Sequence, residues 1–162
     1  FKFLKNGLKL LDIGSFPGGW CQVAKEKSKY GKILGIDKKK IEDIKDIEFI
    51  IGDFLDEKSK AKILQYFDSE IDVILSDMAA NTTGNKSLDN IRTNQLCLDV
   101  LDFSKDKLNK NGVVIAKFFM GEEFGEIKNK AKQSFKKIDF FKPDSSRNES
   151  RETYIHCSGL ST

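Results

Sequence analysis

Leu8-Lys9-Leu10-Leu11-Asp12-Ile13-Gly14-Ser15-Phe16-Pro17-Gly18-Gly19-Trp20 holds a strand end, a glycine turn and a helix start in one short stretch. The apolar run at 8–13 reads as a buried strand. Gly14 breaks it, and Pro17 fits a first helical turn, where a missing N–H costs nothing. The pair Gly18-Gly19 lets a ligand approach the backbone closely, just ahead of a helix N-terminus. That combination predicts a nucleotide-like cofactor site on a doubly wound sheet. The dinucleotide fingerprint G-x-G-x-x-G fails, because Phe16 stands two residues after Gly14, and this disfavours a nicotinamide or flavin cofactor. Taken alone, the stretch also fits a plain glycine-rich turn.

The chain has 162 residues, enough for one domain with a substantial core and hardly for two, so 1–162 is read as a single domain. Lysine and arginine number 28 against 25 acids, a net charge of +3 that permits nucleic acid without demanding it. Basic residues cluster at Lys38-Lys39-Lys40, at Lys105, Lys107 and Lys110, and from Lys128 to Lys137. Each run by itself also fits a solvated face. Cys21, Cys97 and Cys157 are odd in number, widely spaced and without a C-x-x-C pair. They suit reduced thiols in a cytoplasmic protein better than a disulfide framework or a zinc site. No apolar run approaches membrane-spanning length and no secretory signal is visible, so no membrane association is expected. The chain opens on Phe1 rather than methionine, which raises the expectation of residues upstream.

Apolar strands alternate with amphipathic helices throughout, which predicts an α/β fold with a mainly parallel sheet. Strands read at 8–13, 32–36, 47–51, 71–76, 112–118, 135–141 and 151–157, and helices at 18–28, 56–67, 89–108 and 122–133. Gly31 and Gly112 stand just before strands, where helix-ending glycines belong. The polar stretch 78–87 forms a loop at the strand-end side, where α/β folds place their sites. Only residues 142–150 join the last two strands. There is no room for a crossover helix, so this pair should run antiparallel.

That topology has a chemical consequence. Asp77 follows the fourth strand and Lys117 ends the fifth. Neighbouring strands lie roughly 4.8 Å apart, so the two side chains can meet. A last strand antiparallel to the fifth would start at the same sheet edge and bring Glu152 there. An acid, a lysine and a second acid would then converge from three distant segments. A snorkelling Lys117 and a loop-capping Asp77 fit the same positions.

These blocks resemble the FtsJ-type family of S-adenosylmethionine-dependent RNA 2′-O-methyltransferases. The resemblance runs through nearly the whole chain: Leu11-Asp12-Ile13-Gly14 with Pro17-Gly18-Gly19-Trp20, Gly52-Asp53-Phe54, Ser76-Asp77-Met78-Ala79, Lys117-Phe118-Phe119, and Lys142-Pro143-Asp144-Ser145-Ser146-Arg147 followed by Ser150-Arg151-Glu152. The last block is the most specific, since a generic methyltransferase fold would not dictate it. The resemblance implies a Rossmann-like class I methyltransferase fold: a seven-stranded, mostly parallel sheet with an antiparallel last strand and helices on both faces. Block spacing is similar to that of bacterial members that methylate a uridine ribose of large-subunit ribosomal RNA. On that resemblance the partner is this RNA or a ribosomal particle, the compartment is the cytoplasm, and the protein is a monomer that needs no metal.

The resemblance also implies roles residue by residue. Gly14, Gly18 and Trp20 would contact S-adenosylmethionine from the first loop. Asp37 would accept both ribose hydroxyls, Asp53 would meet the adenine amino group, and Asp77 would lie near the methionine end and the reacting methyl. The family's catalytic set is Lys-Asp-Lys-Glu, and Asp77, Lys117 and Glu152 match its last three members. The first lysine belongs to a helix upstream of the cofactor loop, ahead of Phe1. Ala79-Ala80-Asn81 also departs from the usual Ala-Pro-Asn, which frees the loop's backbone but touches no reacting group. Free lysine titrates near pH ~10.4, so acting as a base would require burial or a nearby cation, while carboxylates work against it. Whether Lys117 takes the proton or only orients the hydroxyl is open at this point. The same chemistry on transfer RNA or an mRNA cap is the near alternative. A non-catalytic RNA-binding relative is the distant one, disfavoured because all three residues are present.

Overall fold

Leu10 and Leu11 are adjacent on one strand, point to opposite sides of a sheet, and are both fully buried. A strand apolar on both faces needs cover on both, and this requirement organises the molecule. The structure, a computed structural model, describes residues 2–161. Its elements run β1 (Lys9–Ile13), α1 (Gly19–Lys27), β2 (Lys32–Asp37), β3 (Glu48–Ile51), α2 (Glu57–Phe67), β4 (Ile71–Ser76), α3 (Lys86–Lys107), β5 (Leu108–Phe119), α4 (Phe124–Ser134), β6 (Phe135–Phe141) and β7 (Glu152–Leu160).

All seven strands form one sheet in the order β3-β2-β1-β4-β5-β7-β6. β3 through β5 pair in parallel, while β7 runs antiparallel to both β5 and β6. On one face Leu11, Ile13, Leu34, Ile36 and Ile74 pack against α2, α3 and α4, through Ile63, Phe67, Leu98, Leu101, Ile127 and Ala131. On the other, Leu10, Ile33, Val73 and Leu75 meet Cys21 and Ala24 of α1, with Ile47 beside them. Cys21, Cys97 and Cys157 are free thiols, all buried. No helix among the described residues is long and apolar enough to cross a membrane. β1 sits between β2 and β4. The chain leaves it toward one edge and later returns to its other side, so the loops after β1 and β4 diverge from neighbouring strand ends.

Four local expectations are corrected. Pro17 is not in the first helical turn. α1 begins at Gly19, and its N-cap Gly18 has φ +109°, a left-handed conformation open to glycine at little cost. α3 starts at Lys86 rather than 89, because the Asn85 side chain caps it by accepting from Leu88 N at 3.2 Å. β5 starts at Leu108 rather than 112. Its register to β4 jumps from Ile71↔Leu108 to Val73↔Val113, which places Gly112 within the strand at the irregularity. There Asp72 ties three strands, accepting from Lys9 N at 2.9 Å and from Asn109 Nδ2 at 2.6 Å. Gly31 likewise does not end α1, which stops at Lys27 with Ser28 as its C-cap; in the turn that follows, Tyr30 takes the left-handed conformation, at φ +61°.

Gly112 is required by close approach. A Cβ there would lie 2.9 Å from both Asp72 O and Asn109 O, backbone atoms that cannot move aside cheaply. Gly112→Ala should therefore lower the unfolding free energy by about 1–3 kcal/mol, the usual cost of overpacking. A lower urea midpoint with unchanged slope is the expected outcome. A midpoint equal to the wild type's would refute the account.

Candidate active site

A cavity of about 570 Å³ opens at the carboxyl ends of β1, β2 and β4, lined by Gly14, Asp37, Asp53 and Asp77 together with Met78 and residues of α3. Gly14 has φ +75°, and a Cβ on it would sit 2.8 Å from Met78 Cγ and 3.1 Å from Met78 N. The loops after β1 and β4 thus touch, and only a glycine lets them. Gly14 N and Ser15 N both donate to Ile36 O, at 2.9 and 3.1 Å. Phe16 N donates to Asp37 Oδ2 at 3.0 Å and Lys39 N to Asp37 Oδ1 at 2.9 Å. The Asp37 carboxylate is fixed at the end of β2, and each oxygen retains a lone pair for a ligand hydroxyl. Asp53 accepts from Leu55 N at 3.0 Å and pairs with Lys38 Nζ at 2.9 Å. Partial burial pushes its carboxyl up, but the bonds from Lys38 and Leu55 N prevail and hold it below the usual range.

Asp12, on β1, is only 1% exposed. Burial pushes its carboxyl up to about 7, the Cys21 thiol opposes this by donating to Oδ2 at 3.3 Å, and repulsion from Asp77 and Asp37 adds to the rise. Its other oxygen, Oδ1, and the Ser15 hydroxyl are the buried side-chain polar atoms without a partner among the described residues. Both oxygens flank the glycine turn at Gly14, while the Asp37 and Asp77 carboxylates that line the cavity suit it to a cationic, hydrogen-bonding ligand.

The sheet register assembles the second half of the site. Ser76 pairs with Ala116, Lys117 with Tyr154, and Tyr154 with Phe141. Asp77, one residue beyond β4, therefore heads a row Asp77–Lys117–Tyr154–Phe141 running across the sheet on the α1 side. Lys117 Nζ lies 3.2 Å from Asp77 Oδ1 and 3.9 Å from Glu152 Oε2, with the lysine side chain only 9% exposed. The Tyr154 hydroxyl donates to the same Asp77 Oδ1 at 2.6 Å. Burial pushes the Tyr154 phenol up, and its bond to Asp77 reinforces this, so it stays a donor. Beneath the row, Asn94 of α3 clamps the end of β5, accepting from Phe119 N at 2.7 Å and donating to Phe119 O at 3.0 Å.

Of the residues expected from sequence, Gly14, Asp37, Asp53 and Asp77 line the cavity. Lys117 and Glu152 reach it through Asp77. Gly18 and Trp20 lie beyond its lining, at the start of α1, where the Trp20 ring is 5.9 Å from that of Tyr154. Sequence reasoning missed Asp12, Asn94 and Tyr154. Tyr154 could have been found from the antiparallel pairing already expected, since that register sets it directly opposite Lys117.

A parallel sheet with a carboxylate-lined cleft at its switch point, extended by an antiparallel final strand, is the architecture of class I methyltransferases. The FtsJ-like methyltransferase family matches residues 1–160. The chain belongs to that family and is an S-adenosylmethionine-dependent methyltransferase. It is 44% identical to a protein of Pelagibacter ubique named ribosomal RNA large subunit methyltransferase E, over 97% of this chain and 77% of that protein. A Rickettsia akari protein of the same name is 42% identical over 96% of this chain and 71% of its own length. Among solved structures, a Plasmodium falciparum protein assigned as a ribosomal RNA methyltransferase superposes with a TM-score of 0.87 at 33% identity, covering 98% of this chain and 90% of that one.

The state of Asp12 gives a stability test. Its folded-state pKa, about 7, exceeds the ordinary value of 3.8, so the folded protein keeps a proton that the unfolded chain has lost between those limits. The stability this proton confers is fully present below pH ~4 and lost as pH rises through about 7, a change on the order of a few kcal/mol. Relative to Asp12→Asn, which cannot ionise, the wild type should lose melting temperature steadily from pH 4 to 8. Parallel profiles for the two proteins would refute the burial argument.

Proposed function

We propose that the protein transfers the methyl group of S-adenosylmethionine to the ribose 2′-hydroxyl of a uridine in large-subunit ribosomal RNA, acting in the cytoplasm as a monomer. The observation that carries this reading is the meeting of Asp77, Lys117 and Glu152 within 3.9 Å at the end of the carboxylate-lined cleft. The names and close identity of the Pelagibacter and Rickettsia relatives support the substrate.

The residues present suit S-adenosylmethionine. The cavity falls within the usual size of small-molecule sites, and its acceptor-rich, anionic lining suits a sulfonium and an ammonium. Asp37 would hold the ribose hydroxyls, Asp53 the adenine amino group, and Asp77 the methionine end, with Gly14, Gly18 and Trp20 along the first loop. When bound, the donor supplies an activated methyl with a neutral thioether as leaving group. What remains for the chain is alignment and an outlet for the hydroxyl proton. Lys117 orients the attacking hydroxyl, because its amine is the hydrogen-bonding cation nearest Asp77. Its two carboxylate neighbours fix the amine's direction, and one of them accepts the proton that the hydroxyl loses and passes it to solvent. Tyr154 occupies one lone pair of Asp77 Oδ1 and keeps that carboxylate from rotating.

Asp37→Ala removes a charged acceptor, and bonds of that kind are worth about 1.5–3 kcal/mol. Titration calorimetry should show a drop of roughly tenfold or more in S-adenosylmethionine affinity; an unchanged affinity would refute the assignment. Lys117→Ala should keep cofactor affinity but cut single-turnover transfer by about 10²–10⁴-fold. The readout is 2′-O-methyluridine in digests of large-subunit RNA, with transfer RNA as the comparison. An undiminished rate would make Lys117 structural, and product on transfer RNA alone would reassign the substrate.

A further inference from the structure

β6 presents alternate residues to the α1 side of the sheet, and there it reads Lys137, Asp139, Phe141, all exposed. Two charged residues and then an aromatic break the polar pattern that an exposed edge strand normally keeps. Phe141 is 42% exposed although it could have been a lysine like its strand neighbours. Its inner face lies on Tyr154, with ring centroids 5.6 Å apart and planes at 17°, a stacked pair. Its outer face is open. Tyr154, only 6% exposed, connects this ring to Asp77 by its hydroxyl. Phe141 is thus the exposed end of the same row that carries Asp77 and Lys117. It lies two strand spacings from Lys117, or roughly 10 Å, a distance that a base splayed out beside the reacting ribose can span.

The turn that follows β6 adds charge. Lys142, Arg147 and Arg151 are all exposed there, three basic residues against Asp144 and Glu149. Two tight turns shape the segment, Ser146 N donating to Pro143 O and Ser150 N to Arg147 O, both at 2.9 Å, and Lys142 Nζ donates to Asn148 O at 3.0 Å. An open aromatic face with basic side chains beside it is the combination that holds single-stranded RNA: bases stack on the ring and phosphates meet the cations.

We propose that Phe141, stacked on Tyr154 at the end of the Asp77–Lys117–Tyr154 row, is a platform for the nucleobase adjoining the methylated nucleotide, with Lys142, Arg147 and Arg151 along the neighbouring phosphates. The inference rests on the RNA reading given above and deepens it. A flat ring restricts the flanking base without reading its edge, so it sets the register of the RNA strand over Lys117 rather than its sequence.

The test compares Phe141→Ala, Phe141→Leu and Phe141→Tyr with the wild type on large ribosomal subunits from a strain lacking this methylation. Phe141→Ala should raise KM for the subunits about tenfold, with the loss in KM rather than kcat and with cofactor affinity unchanged. Phe141→Tyr should restore wild-type behaviour and Phe141→Leu should not, since it keeps apolar area but lacks a stacking face. A short single-stranded RNA carrying 2-aminopurine beside a uridine supplies a signature that a structural role would not move: stacking on the ring should quench its fluorescence with wild type and Phe141→Tyr only. Quenching that survives in Phe141→Ala, or a lowered melting temperature with KM unchanged, would overturn the platform and make Phe141 a packing residue. Should Lys117→Ala still abolish transfer in that case, the RNA reading stands without the platform. If the wild type transfers no methyl to the subunits, both fall together.

Discussion

The amine of Lys117 is almost removed from water at the end of a central strand, a position that is tolerable only if polar partners meet it there. Those partners exist because β7 enters the sheet between β5 and β6 and runs against both. Had the last strand added in parallel at the edge, Glu152 would start at the opposite end of the sheet and Tyr154 would have no route to Asp77. The antiparallel insertion is therefore the constraint on which the site depends. It places the beginning of one strand beside the end of another, so that Lys117 and Tyr154, far apart in the chain, share one row.

Much of this was legible in the sequence for a simple reason. Burial on both faces forces continuous apolar runs in β1, β2 and β4, and such runs are visible without a structure. The shortness of 142–150 likewise left no topology for the last two strands except a reversal. What escaped were features set by three-dimensional proximity. Pro17 suggested a helical turn, but Gly18 takes the left-handed cap and moves the start onward. The beginning of β5 was hidden because Asn109, Lys110 and Asn111 carry turn chemistry, while the Asp72 carboxylate accepts from Asn109 and ties the strand's start to β4. In the site, Asp77 and Glu152 stood out as acids at strand ends, whereas Tyr154 looked like one more strand aromatic. Asp12 gave no signal either, since nothing local tells an acid at a strand end that it will be fully covered.

Charge is distributed in two opposing zones. The chain is mildly basic as a whole, with a net charge of +3, yet the cleft gathers Asp37, Asp53 and Asp77 around one cavity. An anionic recess inside a basic surface sorts two reactants by sign. A cationic small molecule is drawn inward, and a polyanion is kept to the rim where Lys117 and the 142–151 turn lie. The division matches the geometry, because Lys117, the buried cation of the Asp77–Lys117–Tyr154 row, stands at the border between the zones.

The three cysteines give the fold built-in reporters of its own opening. Cys21 lies under α1 on one side of the sheet, while Cys97 of α3 and Cys157 of β7 lie in the core on the other. Burial pushes every one of these thiols up, Cys157 to about 12, so none offers a thiolate to a reagent while the surrounding layer stays closed. Alkylation at each position thus waits on a local opening event, and its rate clocks that event. Without any added label, the chain can report whether the α1 layer and the α3–α4 layer loosen together or one before the other.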